Sequence, residues 1–319
     1  MERSSGINCL YDCLEASEKY GYEIEYFWVS GITLVLVGCL GLVGNLLNLI
    51  VLCRQKFRKK AFYSLLLEMA CFDMLFIISY GISVGYQSMA CRMNYNYNVS
   101  HITYPWLNVG VVGSEYATVA VSLERYLGIC HPYMKCSRSK WIYMVPVALI
   151  AISYNLPRFL QYEYNIVNGT LETTLSPWAG SNPYHNMYHV WAPIIIEELI
   201  PLVMVLLLNG LVIVMLYGSS KRFTVMTNDV CKNQKHSAKI LLALVTVYLM
   251  CHVLTVIFKM LYHLGSENDA FRRKWYFITP IKKLALMVNS SANFVIYCLF
   301  GSKLRGEFLR LFGLKAQIT

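Results

Sequence analysis

The sequence predicts an all-α membrane protein, a bundle of seven transmembrane helices followed by a short amphipathic eighth helix. Three observations predict it. Seven apolar stretches, near 27–53, 62–87, 102–130, 141–161, 188–217, 238–263 and 275–299, fill most of the 319 residues. Each suits a hydrocarbon core of about 30 Å, which takes about 20 helical residues to cross. Apolar residues make up 56% of the chain and charged residues 14%, against roughly 25% charged in soluble domains. The basic residues also fall on alternate loops. Arg54, Lys56, Arg58, Lys59, Lys60, Lys135, Arg138, Lys140, Lys221, Arg222, Lys232, Lys235 and Lys239, with Lys303, Arg305, Arg310 and Lys315, flank one side. The other side has Arg3, Lys19, Arg92, Arg158, Arg272, Arg273 and Lys274. Positive-inside bias then puts the N-terminus outside and the C-terminus in the cytoplasm. The net charge of +10 is explained by this topology and by attraction to anionic lipid. It requires no nucleic acid, and a soluble enzyme is excluded.

Each segment follows in order. Residues 1–26 form an extracellular tail without an apolar run, so no cleavable signal peptide is expected and the first helix serves as signal-anchor. Its acidic residues (Glu2, Asp12, Glu15, Glu18, Glu23 and Glu25) make it either a solvated tail or a collector for cationic ligands. Residues 27–300 form the bundle. Backbone groups inside a bilayer must be paired within their own segment, so the spans are helices. Pro146, Pro157, Pro193, Pro201 and Pro280 each remove a helix hydrogen bond and permit a kink. Residues 301–319 carry an amphipathic helix, with Leu304, Phe308, Leu309 and Phe312 on one face and Lys303, Arg305 and Arg310 opposite, suited to the inner interface.

Sequons at Asn98 and Asn168 lie in predicted outer loops and are candidate glycosylation sites. Of the eleven cysteines, Cys9, Cys13 and Cys91 are the disulfide candidates, because they lie outside where such bonds persist. Sequence does not fix their pairing.

Charged and strongly polar groups inside spans are costly, so they face inward and mark function. Asp73 in the second span, Asn45 after Gly44 in the first, Ser114 in the third, and Asn289, Ser290 and Asn293 in the seventh lie at comparable depths. One carboxylate among amide and hydroxyl oxygens is either a hard-cation site, with sodium the expected ion, or a polar network that fixes packing. Glu124-Arg125-Tyr126 closes the third span, followed by Cys130-His131-Pro132. Its guanidinium stays charged.

Together, Glu124-Arg125-Tyr126 with Cys130-His131-Pro132, Gly44-Asn45, Asp73, Trp141, Pro201 and Asn289-Ser…Asn293-x-x-x-Tyr297 resemble the rhodopsin-like G-protein-coupled receptors. The resemblance spans roughly 27–312. Asn155-Leu-Pro-Arg-Phe159, Ile200-Pro201 with Asn209, and Cys251-His252 are similar to invertebrate FMRFamide-type neuropeptide receptors. The resemblance implies a receptor, not an enzyme, that passes binding of an extracellular neuropeptide, an RF-amide type among the candidates, to heterotrimeric G proteins, with arrestin a further partner. It implies that Glu124 clamps Arg125 in the inactive state, that Tyr297 swings inward on activation, and that Asn45, Asp73, Ser114, Asn289, Ser290 and Asn293 form a network sensitive to allosteric sodium. It places Leu107, Val111, Glu197, Glu198, His252, Lys259 and Lys283 near the ligand.

The chain also departs from the family pattern. Ser100 stands where the helix-three cysteine of the family disulfide is expected, and residues 162–187 contain no cysteine. His252 replaces the tryptophan of the sixth-helix motif, Leu254 its proline, Phe294 the seventh-helix proline, and Glu115 a position usually apolar. Leu107 and Met287 argue against a monoamine receptor and an opsin. Glu197 or Glu198 is expected either to pair with a ligand arginine or to pair internally with Lys259. A chemosensory receptor of the same fold is the alternative. An ion-coupled transporter using Asp73, Glu115 and Lys259 is more remote, because no internal repeat is visible.

Overall fold

The structure, a computed structural model, describes residues 32–93, 100–130, 139–167, 170–218, 228–265, 269–311 and 313. Side chains are described for 32–83, 101–130, 139–163, 174–215, 239–261, 281–311 and 313. Among these residues the helices are α1 (Leu34–Leu52), α2 (Ala61–Met93), α3 (Ser100–Cys130), α4 (Trp141–Leu160), α5 (Ile200–Gly218), α6 (Asn228–Gly265), α7 (Asp269–Phe300) and α8 (Ser302–Leu311). One turn of helix, Gln55–Arg58, joins α1 to α2. The fifth span reaches α5 through two π-helical stretches, His185–Trp191 and Pro193–Leu199.

Six spans are long and apolar enough to cross a membrane by length and composition alone. The exception, α3, has 31 residues, about 46 Å of helix, but it carries Glu115, Glu124 and Arg125. It supplies the polar interior, burying Ser114, Thr118 and Ser122 as well. The sequence pattern of α1 is inverted relative to a soluble helix. Gly38, Gly41, Gly44, Asn45 and Asn48 face the bundle, while Val35, Leu36, Leu40, Val43, Leu46 and Ile50 are exposed. Lipid gives apolar side chains no reason to turn inward, so small and polar residues take the helix contacts. Gly110 shows how close this packing becomes. A Cβ there would lie 2.6 Å from the backbone nitrogen of Phe76 on α2.

The main apolar cluster fills the α8 end of the bundle. It joins Val51, Leu52, Phe57, Phe62, Leu65 and Leu66 to Ile240, Leu241, Tyr297, Leu304 and Phe308. A smaller cluster of Leu34, Phe76, Ile77 and Met287 sits toward the other end, with Leu107 and Val111 packed against it.

Several expectations need correction. Helix α2 runs on to Met93, α6 begins at Asn228, inside the expected loop, and α7 begins at Asp269. Between α4 and the fifth span an antiparallel hairpin, β1 (Tyr162–Val167) and β2 (Thr170–Leu175), pairs from Tyr162↔Leu175 to Val167↔Thr170. Pro105 lies inside α3 in addition to the expected prolines. Helix α8 does more than lay an apolar face on lipid. Leu304 and Phe308 are buried against the bundle, and so is Glu307. Asn98, Asn168, Cys9, Cys13 and Phe312 lie outside the described residues, and so does the side chain of Cys91.

Candidate functional site

Among the described residues, three buried polar clusters lie along the bundle. The largest joins α3, α4, the fifth span and α6. Along α4 the buried residues are Tyr143, Val147, Ala151, Asn155 and Arg158, a spacing of three and four that puts Arg158 on the packed face. Arg158 is 2% exposed. Its Nη2 donates to Glu197 Oε1 at 2.8 Å, and its Nη1 donates to Asn155 Oδ1. The rings of Tyr154 and Tyr188 flank it, with centroids 5.2 and 5.1 Å from the guanidinium carbon.

The π-helical stretch beginning at Pro193 places consecutive residues Glu197 and Glu198 inside. Irregular backbone of this kind frees carbonyls for side-chain donors and recurs at functional sites. Here the Pro193 carbonyl accepts from Lys259 Nζ at 3.3 Å and the Ile196 carbonyl accepts from the Tyr116 hydroxyl at 3.0 Å. Lys259 Nζ lies 3.2 Å from Glu197 Oε2 and 2.8 Å from Glu198 Oε1. Glu198 Oε2 is 2.9 Å from His252 Nδ1, and that nitrogen is 3.7 Å from Glu115 Oε1. Tyr248 stacks on the His252 ring at 4.1 Å.

In this low-dielectric interior an isolated charge costs several kcal/mol on insertion scales. Arg158 and Lys259 therefore hold Glu197 and Glu198 as a mutually compensating set. Glu115 stands apart. It is 1% exposed, and neither carboxylate oxygen has a hydrogen-bond partner among the described residues.

The second cluster centres on Asp73, which is fully buried. Its Oδ1 accepts from the Ser114 hydroxyl at 2.7 Å and its Oδ2 from the Asn293 amide at 2.6 Å. Asn45 reaches the same region by donating to the Ser290 carbonyl at 2.8 Å. Asn289 is half-buried and makes none of the described bonds to Asp73.

The third cluster closes the α8 end of α3. Arg125 is 8% exposed. Its Nη2 lies 2.5 Å from Glu124 Oε2, and its Nε donates to the same oxygen at 2.6 Å. Its guanidinium carbon sits 3.9 Å from the centre of the Phe62 ring on α2. Tyr126 is half-buried beside it. Tyr297 is wholly buried, and its hydroxyl has no hydrogen-bond partner among the described residues. Next to this cluster, Glu307 of α8 binds Lys56 at 2.6 Å, Arg310 at 2.7 Å and Arg54. These cations hold the Glu307 carboxyl below its usual range, the Lys56 hydrogen bond contributing most.

The structure thus gathers Glu197, Glu198, His252 and Lys259 into one cluster, in the internally paired arrangement. Leu107 and Val111 pack between α2 and α7, and Lys283 stands apart with its Nζ 5.7 Å from the Tyr80 ring. Arg158, counted among the flanking basic residues, lies in the last turn of α4 on its buried face, so it points into the bundle. Glu307 and Arg158 are the residues that sequence reasoning missed, and helical periodicity on α8 and α4 was the available signal.

Comparison with known proteins fits this architecture. The profile of the 7 transmembrane receptor (rhodopsin family) matches residues 44–297. The FMRFamide receptor of Drosophila melanogaster is 29% identical, over 90% of this chain, which spans 54% of that relative's own length. The thyrotropin-releasing hormone receptor of Mus musculus is 23% identical over 96% of the chain and 84% of the relative. An FMRFamide peptide receptor of Caenorhabditis elegans is 24% identical over 85% and 66%. The match runs from the glycine that precedes Asn45 to Tyr297, enclosing the Asp73 and Arg125 clusters, and on it the chain belongs to the rhodopsin family of seven-transmembrane receptors.

Proposed function

We propose that this chain is a plasma-membrane receptor for an extracellular neuropeptide, with RF-amide peptides as the first candidates, and that it signals through heterotrimeric G proteins. The observation that carries the reading is Arg125, held by Glu124 and capped by Phe62 at the α8 end of the bundle. The similarity to FMRFamide and thyrotropin-releasing hormone receptors supports a peptide as the ligand. In this reading the N-terminus is extracellular and α8 lies at the cytoplasmic face, where its exposed basic residues meet anionic lipid. Peptide binding favours a state in which Arg125 leaves Glu124 and, with Tyr297, receives the G protein. Arrestin is a further partner of that state, and sodium at Asp73 opposes it.

The charges already paired at Glu197 and Glu198 shape how an Arg-Phe-amide would bind. A ligand guanidinium reaching either carboxylate competes with Arg158 or Lys259, which links peptide docking to rearrangement between α4, the fifth span and α6. The test is a peptide panel, including Arg-Phe-amides, on cells carrying tagged G protein α subunits. Activation of at least one subunit by a panel peptide is expected. A receptor that reaches the surface but activates none with any peptide defeats the proposal.

A further inference from the structure

We propose that Glu115, Glu198 and His252 form a divalent-cation site of the zinc type, tying α3, the fifth span and α6 together inside the membrane. One carboxylate oxygen from each glutamate and one ring nitrogen of His252 lie within 4.8 Å of one another, and all three residues are buried. Zinc bound at its usual lengths to nitrogen and carboxylate oxygen separates neighbouring ligand atoms by about 3.4 Å. The observed separations from His252 Nδ1, 2.9 Å to Glu198 and 3.7 Å to Glu115, bracket that value.

Charge supplies the independent argument. Arg158 and Lys259 contact Glu197 and Glu198 directly. Glu115 has no such contact among the described residues and feels the charges of Lys259 and Lys282 only from a distance, although both of its oxygens are shut off from solvent and one is aimed at His252. A buried carboxylate in that position needs a proton or a cation. The neighbouring imidazole and second carboxylate complete a donor set of nitrogen and oxygen that suits zinc. Lys259 engages the other oxygen of Glu198 at 2.8 Å, which leaves Oε2 facing His252 and orients it as an outer partner orients a metal-bound carboxylate. The ammonium also repels a bound cation, so this site is weaker than a structural zinc site in a soluble domain.

The experiment uses the purified full chain in lipid nanodiscs, with zinc chloride as the probe and neither peptide nor G protein. Its outcome is therefore independent of the receptor reading above. Equilibrium dialysis with metal analysis is expected to find one zinc per chain released by the Glu115→Gln and His252→Gln variants, each weakening binding at least tenfold, and zinc is expected to raise the unfolding temperature of the parent alone. Glu115→Gln removes an unpaired buried charge and keeps its shape, so loss of metal is separable from loss of fold. A second histidine pair, His185 and His189, has ring centroids 5.7 Å apart near the hairpin end. The double variant His185→Ala/His189→Ala is expected to keep the zinc. Zinc lost with that pair overturns the proposal, as does binding unaffected by Glu115→Gln, or no zinc at all, in which case a proton neutralises Glu115.

Discussion

Arg158 Nη2 meets Glu197 Oε1 at 2.8 Å with both side chains sealed inside the bundle, joining α4 to the fifth span. Removing one partner of a buried pair strands the other and costs about 3–5 kcal/mol. Glu197→Gln and Arg158→Met are each expected to lower surface expression and unfolding temperature sharply. The double variant is expected to lose less than the sum, because no charge is stranded. A double-mutant cycle on unfolding temperature measures that coupling, and simple additivity counts against the pairing.

Glu124 holds Arg125 through two bonds to one oxygen. Glu124→Gln weakens both and is expected to raise signalling in the absence of peptide. Arg125→Ala is expected to abolish G protein activation in whatever receptor still reaches the surface. Basal and stimulated activity, normalised to surface receptor, decides between these outcomes and a purely structural role.

Two glycines on neighbouring helices make opposite predictions. In ordinary helix Ala is more favourable than Gly by about 0.8–1 kcal/mol. Gly81 on α2 has nothing within 4 Å of an added Cβ, so Gly81→Ala is expected to be neutral or stabilising. At Gly110 the added Cβ would meet the Phe76 nitrogen at 2.6 Å and the Phe72 carbonyl at 2.9 Å. Gly110→Ala is expected to force α3 from α2 and lower the unfolding temperature in detergent.

The three cations around Glu307 predict a pH dependence. Its carboxyl is held below the usual carboxylate range in the folded protein, with the Lys56 hydrogen bond as the largest cause. The pairing therefore contributes fully above the ordinary carboxylate range and is lost as pH falls through the lowered value. A fluorescent label on α8, read against one on the Gln55–Arg58 turn, is expected to report α8 loosening only in that acid window. Glu307→Gln is expected to be loose at neutral pH and insensitive to acid.

Asp73 accepts bonds from Ser114 and Asn293 on its two oxygens. Asp73→Asn keeps the size and removes the charge. Sodium is expected to weaken agonist binding in the parent and to have no effect in this variant, as measured by competition binding with sodium exchanged for a bulky organic cation.

The seven spans, the Arg125 cluster and most of the Asp73 cluster were legible because lipid enforces simple rules. Long apolar runs must be helices, and a polar residue inside one must find company. Asn289 shows the limit of that reasoning, since equal depth does not by itself make a residue a partner of Asp73. The choice between a ligand-facing and a paired Glu197 was not legible, because it depended on Arg158, which motif reading had left at the membrane edge. The hairpin could have been found. Its strands carry Tyr162, Tyr164 and Ile166, then Leu171, Thr173 and Leu175, at every second position on either side of Asn168-Gly169, a pair that marks tight reversals between strands, but those two residues were read only as part of a glycosylation sequon. The π-helical turns left no trace in composition, because they depend on how the fifth span meets Tyr116 and Lys259.

The hairpin after α4 is laced by its own ladder, from Tyr162↔Leu175 to Val167↔Thr170. Its base is fastened where the Ser176 backbone nitrogen and hydroxyl both donate to the Gln161 carbonyl, at 3.0 and 3.1 Å. The segment from 162 to 187 holds no thiol, so no disulfide within it sets the shape of this rim. Mild reductants should leave it in place, a tolerance that loops stapled through sulfur do not share.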